Sequence, residues 1–411
     1  MEKQRIVLFG HFGSGNIGND STLEAAIQNI PKYLPDAEII CVCNGPKVIA
    51  ERFHIPTLPF DISESKNEIK SANRSVARVK RLSKRVVDEI QFWLDRPAWF
   101  RGAEQFIVVG TGAVDDMGVQ RAWNAPYDLY KWCKCAKLGG AKVIFLSVGA
   151  GPIVDPLSRI LMLRALRLAD YRSYRETFAL DYLRSVGFDT TGDQLYPDLV
   201  FSLQGYFCGS IPKPATPANT VGLGLLNYYG WRHDPSIGEH IYQEYIGKIK
   251  QFVAWLLDHG KTVRLIVGDD TDRRPFDEIV EYVRGSKNDA WQGRLIAQEC
   301  STVGELFDQL AQTDILVASR FHNVLSALML ERPVISIGYH EKNVALMREM
   351  GLDKYCQHIE QFTVESLIQQ FQEYEDAGDQ TISKIHAQLE NYRRLLDEQY
   401  QKIFLDERNF K

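Results

Sequence analysis

The sequence has no run of apolar residues approaching the ~18 needed to cross a bilayer, and none of the Ser-, Pro- or Gln-rich tracts that mark disorder. Its start, Met1-Glu2-Lys3-Gln4-Arg5, leads into an apolar, β-rich segment in place of a signal sequence. A cytoplasmic location is therefore expected, with the inner face of the membrane as the place of any bilayer contact. There is no surplus of positive charge. Acidic residues number 53 against 48 basic ones, a net charge of -5, which argues against a general nucleic-acid binder. Cysteine is scarce and odd in number, with seven at Cys41, Cys43, Cys133, Cys135, Cys208, Cys300 and Cys356. Two pairs are spaced Cys-x-Cys and none Cys-x-x-Cys, the spacing of metal knuckles and redox motifs. Buried, reduced thiols in a reducing compartment are expected. Neither a metal nor a cofactor is expected.

What is present is an ordinary globular composition, 45% hydrophobic and 25% charged. At 411 residues, two domains are the natural division. Arg5 to Phe9, Ala37 to Cys43, Gln105 to Val109 and Lys142 to Val148 read as strands. Helical segments fall between or after them, at Ser21–Ile30, Tyr127–Leu138, Leu157–Ala169 and Phe178–Val186. Ser21-Thr22-Leu23-Glu24 has the capping-box spacing and is expected to open the first helix. Residues 205–219, rich in Gly and Pro, read as a linker. The alternation then restarts, with strands at Val221–Leu226, Thr262–Val267, Ile315–Ala318 and Val334–Ile337 and a long helix at Glu239–Leu257. The expected layout is an α/β domain over 1–205, a second over 219–365 and a helical tail over 366–411. Strands separated by helices imply parallel sheets, whose ligands bind beyond the strands' carboxyl ends.

Two such ends carry candidate chemistry. After the first strand comes Gly10-His-Phe-Gly13-Ser-Gly15-Asn16-Ile-Gly18-Asn19-Asp20. Its glycines allow close backbone approach, and the turn is expected to present amides to a phosphate or carboxylate. The Gly13-x-Gly15-x-x-Gly18 spacing matches a dinucleotide fingerprint, but the next strand ends at Cys43-Asn44 and lacks the ribose-binding acid. In the second half, Ile315–Ala318 runs into Ser319-Arg320-Phe321-His322. In extended backbone, residues 320 and 322 would point the same way. Arginine offers a fork for carboxylate or phosphate, and histidine a proton near neutral pH. Lys342, at the end of the next strand, is a further candidate cation. Asp269-Asp270 reads as a helix cap together with Asp272, or as a contact for a cation or sugar. From Lys66 to Arg101, basic residues mix with apolar ones at helical spacing. This pattern suits an amphipathic helix packed on its own domain or lying on an anionic membrane.

Taken in order, these motifs resemble the polysaccharide pyruvyl transferase family. The matching pieces are Gly13-x-x-Asn16-x-Gly18, Ser147-Val-Gly-Ala-Gly151-Pro152, and Ala169-Asp170 through Arg175-Glu176 with Leu183 and Gly187. Pro197-Asp198, Arg320-Phe321-His322, Pro333 and Tyr339-x-x-Lys342 follow. The chain departs from the family pattern at Asn19, where aspartate is usual, at Gly110-Thr111-Gly112-Ala113, where three glycines are usual, and at Ala179. The resemblance implies two Rossmann-like domains facing across a cleft, the GT-B glycosyltransferase architecture. It implies transfer of a pyruvyl group from phosphoenolpyruvate to two hydroxyls of a saccharide or lipid-linked saccharide, in polysaccharide biosynthesis. His322 is then the expected general acid, with Arg320, Arg175 and Lys342 on the donor. Asp20, Asp115 or Asp116 is the expected base on the acceptor side. A nucleotide-sugar glycosyltransferase and a non-catalytic sugar- or phosphate-binding protein are the rival readings.

Overall fold

The computed structural model describes residues 4–60, 74–116, 121–206, 218–230, 235–377 and 379–405. The linker over 205–219 lies mostly outside these residues, as does Cys208. The first half runs β1 (Arg5–Phe9), α1 (Ile17–Tyr33), β2 (Glu38–Cys43), α2 (Pro46–Phe53), β3 (Thr57–Pro59) and α3 (Arg74–Trp99). It continues with β4 (Ala103–Val109), α4 (Ala125–Gly139), β5 (Lys142–Val148), α5 (Pro156–Arg167), β6 (Tyr171–Tyr174), α6 (Thr177–Ser185) and β7 (Gln194–Leu195). Its strands form one sheet in the order β3-β2-β1-β4-β5-β6-β7, and every pair is parallel.

The second half runs β8 (Thr220–Gly224), α7 (Pro235–Asp258), β9 (Thr262–Ile266), α8 (Arg273–Arg284), β10 (Leu295–Ala297) and α9 (Val303–Ala311). Then come β11 (Ile315–Ala318), α10 (Phe321–Met329), β12 (Val334–Gly338), α11 (Glu341–Glu349), β13 (Cys356–His358), α12 (Val364–Ala377) and α13 (Asp379–Phe404). Its strands make a second parallel sheet, ordered β10-β9-β8-β11-β12-β13.

The apolar runs become strands because both faces of each sheet are covered by helices. Val7, Leu8, Ile107, Val108, Ile144 and Phe145 are all fully buried, as central parallel strands require. Cys41, Cys43, Cys133, Cys135 and Cys300 are free and buried, and Cys356 is free and half-buried. Helix starts follow local chemistry. Asp155 accepts a hydrogen bond from the Ser158 amide at 2.6 Å and caps α5. Thr302 and Glu305 form a reciprocal capping box at α9. The expected box at Ser21–Glu24 does not form. Asn16 caps α1 instead, five residues earlier, accepting from the Asn19 amide at 3.0 Å. Inside the helix, Ser21 Oγ donates back to the Ile17 carbonyl.

The carboxyl-terminal helices do not stand apart. The middle of α13 meets the second half through Tyr392 and Glu349. Its end is sunk into the first half, where Gln399 is fully buried. The Gln399 amide donates to Ser173 Oγ at 2.7 Å, and its carbonyl accepts from Ser147 Oγ at 3.1 Å. No helix among the described residues is long and apolar enough to cross a membrane.

Candidate active site

Each sheet has one place where successive connections leave in opposite directions. In the first sheet it lies between β1 and β4, and in the second between β8 and β11. Such switch points open a crevice at the strands' carboxyl ends. The glycine turn over 10–18 fills the first, and Arg320 and His322 stand at the second.

The two crevices meet. Asn16 Nδ2 donates to Asp269 Oδ2 at 2.7 Å, the Ile17 amide to the Gly268 carbonyl at 3.2 Å, and the Asp270 amide to the Gly15 carbonyl at 3.3 Å. Gly15, at φ +87°, lies against Asp270, and a Cβ on Gly18 would fall 2.2 Å from the His322 ring. The expected ligand-facing glycine turn is therefore, in this structure, a seam between the halves. Several of its amides already have partners: that of Gly13 donates to Asp20 Oδ1 at 2.8 Å, those of Ile17 and Asn19 to Gly268 and Asn16. Glycine spacing reveals that something approaches the backbone closely, not what approaches it.

Arg320 and His322 diverge. Helix α10 begins at Phe321, so the extended geometry expected for 320–322 is broken after Arg320, its cap residue. The Arg320 guanidinium turns to the β9–α8 connection. It donates to Asp272 at 2.6 and 2.9 Å and to Thr271 Oγ1 at 2.9 Å, and stands 3.3 Å from Asp269. Asp269 also caps the turn, accepting from the Thr271 amide. Burial alone would raise the Asp272 carboxyl above its ordinary value, and Arg320 opposes this. His322 points to Gly18. It is half-buried, and its Nε2 is closed off from solvent with no hydrogen-bond partner. Burial first, then the charges of Arg175, Lys342 and Arg320, pushes its pKa down to about 3, against a pull upward from Asp198.

Arg175, at the end of β6, crosses to the same place from the first half. It is held by Glu176 at 2.6 Å and Asp198 at 2.7 Å, and these two carboxylates keep it above its ordinary pKa against the cost of burial. Its guanidinium lies 5.0 Å from the Phe321 ring centroid, and Lys342 Nζ lies 5.5 Å from that same centroid. Lys342 has no carboxylate partner within ion-pair distance among the described residues. Arg175, Lys342, Phe321 and Glu349 line a cavity of about 20 Å³, room for a water rather than a phosphorylated acid.

The three candidate bases separate by environment. Asp20 has one oxygen on the Gly13 amide and the other on Arg52 at 2.7 Å, and burial raises its pKa against both. Asp116 is buried and accepts the Val154 and Asp155 amides at 3.1 and 2.8 Å, so it shapes the loop after β5. Asp115 is half-buried beside Gly151, at the carboxyl edge of β4 and β5. His340 joins the group without having been singled out. Its Nδ1 accepts the Lys342 amide at 3.2 Å as the cap of α11. Burial, Lys342 and Arg175 lower its pKa to about 4. The signal for it was its place at the end of β12, two residues before Lys342.

The sequence matches the family described as polysaccharide pyruvyl transferase over residues 16–341. The chain belongs to this family, and it is a transferase. No curated protein matches it in sequence. Among solved structures, UDP-GlcNAc 2-epimerase from Neisseria meningitidis, bound to UDP-GlcNAc, is 9% identical with a TM-score of 0.60, over 97% of this chain and 100% of the other. UDP-GlcNAc 2-epimerase from Methanocaldococcus jannaschii is 12% identical with a TM-score of 0.56, over 89% and 91%. A glycosyltransferase from Rickettsia africae is 13% identical with a TM-score of 0.55, over 99% and 100%. At such identities the likeness concerns fold: two Rossmann-like domains of GT-B type. In this pyruvyl transferase family member the candidate residues Asn16, Gly18, Arg175, Arg320, His322 and Lys342 lie along the seam between the two halves.

Proposed function

We propose that the protein moves a pyruvyl group from phosphoenolpyruvate to a pair of saccharide hydroxyls, forming a cyclic ketal during assembly of a cell-surface or extracellular polysaccharide. The observation that carries this reading is the meeting of one neutral, unpartnered imidazole with three cations drawn from both halves. Phosphoenolpyruvate has a carboxylate and a phosphate for those cations and an enol carbon for the imidazole's proton.

In this mechanism Lys342 contacts the donor directly. Arg175 and Arg320, already held by carboxylates, supply fixed positive charge. The donor's negative charge allows His322 to take up a proton. His322 then gives that proton to C3, the C2=C3 π bond is spent on the new C–H bond, and C2 becomes electrophilic. The first saccharide hydroxyl adds to C2 and loses its proton to Asp115. The C2–O bond to phosphorus breaks, inorganic phosphate leaves, and the second hydroxyl adds to C2. Of the two hydroxyl protons, one restores the acid and the other leaves with phosphate.

Titration calorimetry with phosphoenolpyruvate, against UDP-glucose as control, tests the reading. Saturable binding of phosphoenolpyruvate, at least tenfold weaker in Lys342→Ala, is expected. Binding of UDP-glucose alone would transfer the protein to nucleotide-sugar chemistry.

A further inference from the structure

Helix α3 is longer than its domain requires. Its 26 residues span about 39 Å at ~1.5 Å each, against about 23 Å for the 15 residues of neighbouring α4. Its carboxyl-terminal half is anchored. Phe92 is buried, Arg96 lies 5.6 Å from the Trp132 ring, and Trp93 and Tyr127 share Glu89. Further towards the amino terminus, residues 83–87 are exposed all round the helix. In a parallel sheet a connecting helix runs back against the strands. The projecting end of α3 therefore lies on the carboxyl-edge side, where the cleft opens.

This arm carries two features that a merely solvated helix lacks. Val86, Ile90 and Leu94 recur every four residues on one face and are 52, 56 and 72% exposed, with Val87 at 60% beside them. In an acidic chain, the sequence from 74 to 87 holds Arg74, Arg78, Lys80, Arg81, Lys84 and Arg85 and no acidic residue. Trp123, 69% exposed, packs edge-on against Tyr127, which bonds Glu89 and Trp93 of α3.

We infer that α3 is a docking arm for an anionic lipid bilayer, its apolar face entering the headgroup region and the exposed Lys84 and Arg85 meeting lipid charge. Charge complementarity selects this occupant. A two-fold pairing of arms would set one basic segment against another, and a nucleic acid would leave the apolar stripe in water. Resting on the proposed function, the arm would hold the cleft against a membrane that presents a lipid-carried saccharide.

Flotation with phosphatidylcholine–phosphatidylglycerol vesicles tests this, with pure phosphatidylcholine as the neutral control. The protein should float with the anionic vesicles only, and high salt should release it. Lys84→Glu with Arg85→Glu should weaken binding about tenfold or more, and Ile90→Asp with Leu94→Asp should abolish it. All four side chains are exposed, so the variants should keep wild-type circular dichroism and phosphoenolpyruvate binding, which separates failure of the arm from failure of the proposed chemistry. Absence of flotation with anionic vesicles would overturn the inference. So would concentration-dependent dimerisation that the same apolar substitutions remove.

Discussion

Donor binding should be coupled to proton uptake at His322. In the free protein its pKa lies near 3, so at pH 7.5 the ring is neutral and cannot act as an acid. One negative charge about 4 Å away, at an effective dielectric of about 20, favours the imidazolium by ~4 kcal/mol. At ~1.4 kcal/mol per pKa unit this is about three units, enough to bring His322 to about 6. The donor carries more than one charge, and a second carries the ring past the working pH. Phosphoenolpyruvate should therefore bind with uptake of about one proton. Titration calorimetry in buffers of different ionisation enthalpy reads this number directly. His322→Gln should still bind the donor but show no buffer dependence. Wild-type binding without buffer dependence would refute the reasoning, and a dependence surviving in His322→Gln would give the proton to His340.

Three more outcomes follow from the same geometry. Because His322 and His340 are held below the unfolded value of 6.5, the unfolded chain binds more protons over the window from 6.5 down to about 3 and about 4. Stability should fall as pH drops through 6.5, and denaturant titrations should show a shallower fall for His322→Gln. Gly18→Ala would place a methyl 2.2 Å from the His322 ring; turnover should drop at least a hundredfold, with faster hydrogen exchange in residues 13–20 and 268–272. Asp116→Ala removes the shared acceptor of the Val154 and Asp155 amides from the loop after β5 and should lower the melting temperature. Asp115→Asn should suppress turnover while donor binding persists.

The sequence discloses the long elements well, because a buried parallel strand is an uninterrupted apolar run. Arg5–Phe9, Lys142–Val148 and Ile315–Ala318 match the structure residue for residue. It does not disclose Thr57–Pro59, Gln194–Leu195, Leu295–Ala297 or Cys356–His358, which at two or three residues show no period. At the site, the place of Arg320 and His322 at a strand's end was legible. Their directions were not, because helix α10 starts one residue after Arg320. Nor was the pairing of Arg320 with Asp269 and Asp272, a tertiary contact between the ends of β9 and β11. At α1 the cap is Asn16 rather than Ser21, its Oδ1 on the Asn19 amide and its Nδ2 on Asp269 of the other half, a contact that the spacing of Ser21 and Glu24 does not reveal.

Acceptor-dependent release of phosphate from phosphoenolpyruvate tests pyruvyl transfer with His322 as the acid. With a saccharide or lipid-linked saccharide fraction from the producing cell, the wild type should release phosphate and form ketal in equal amounts. His322→Gln should bind the donor and release none. Ketal formation at the wild-type rate in His322→Gln would remove His322 as the acid, and consumption of a nucleotide sugar in place of phosphoenolpyruvate would rule out pyruvyl transfer.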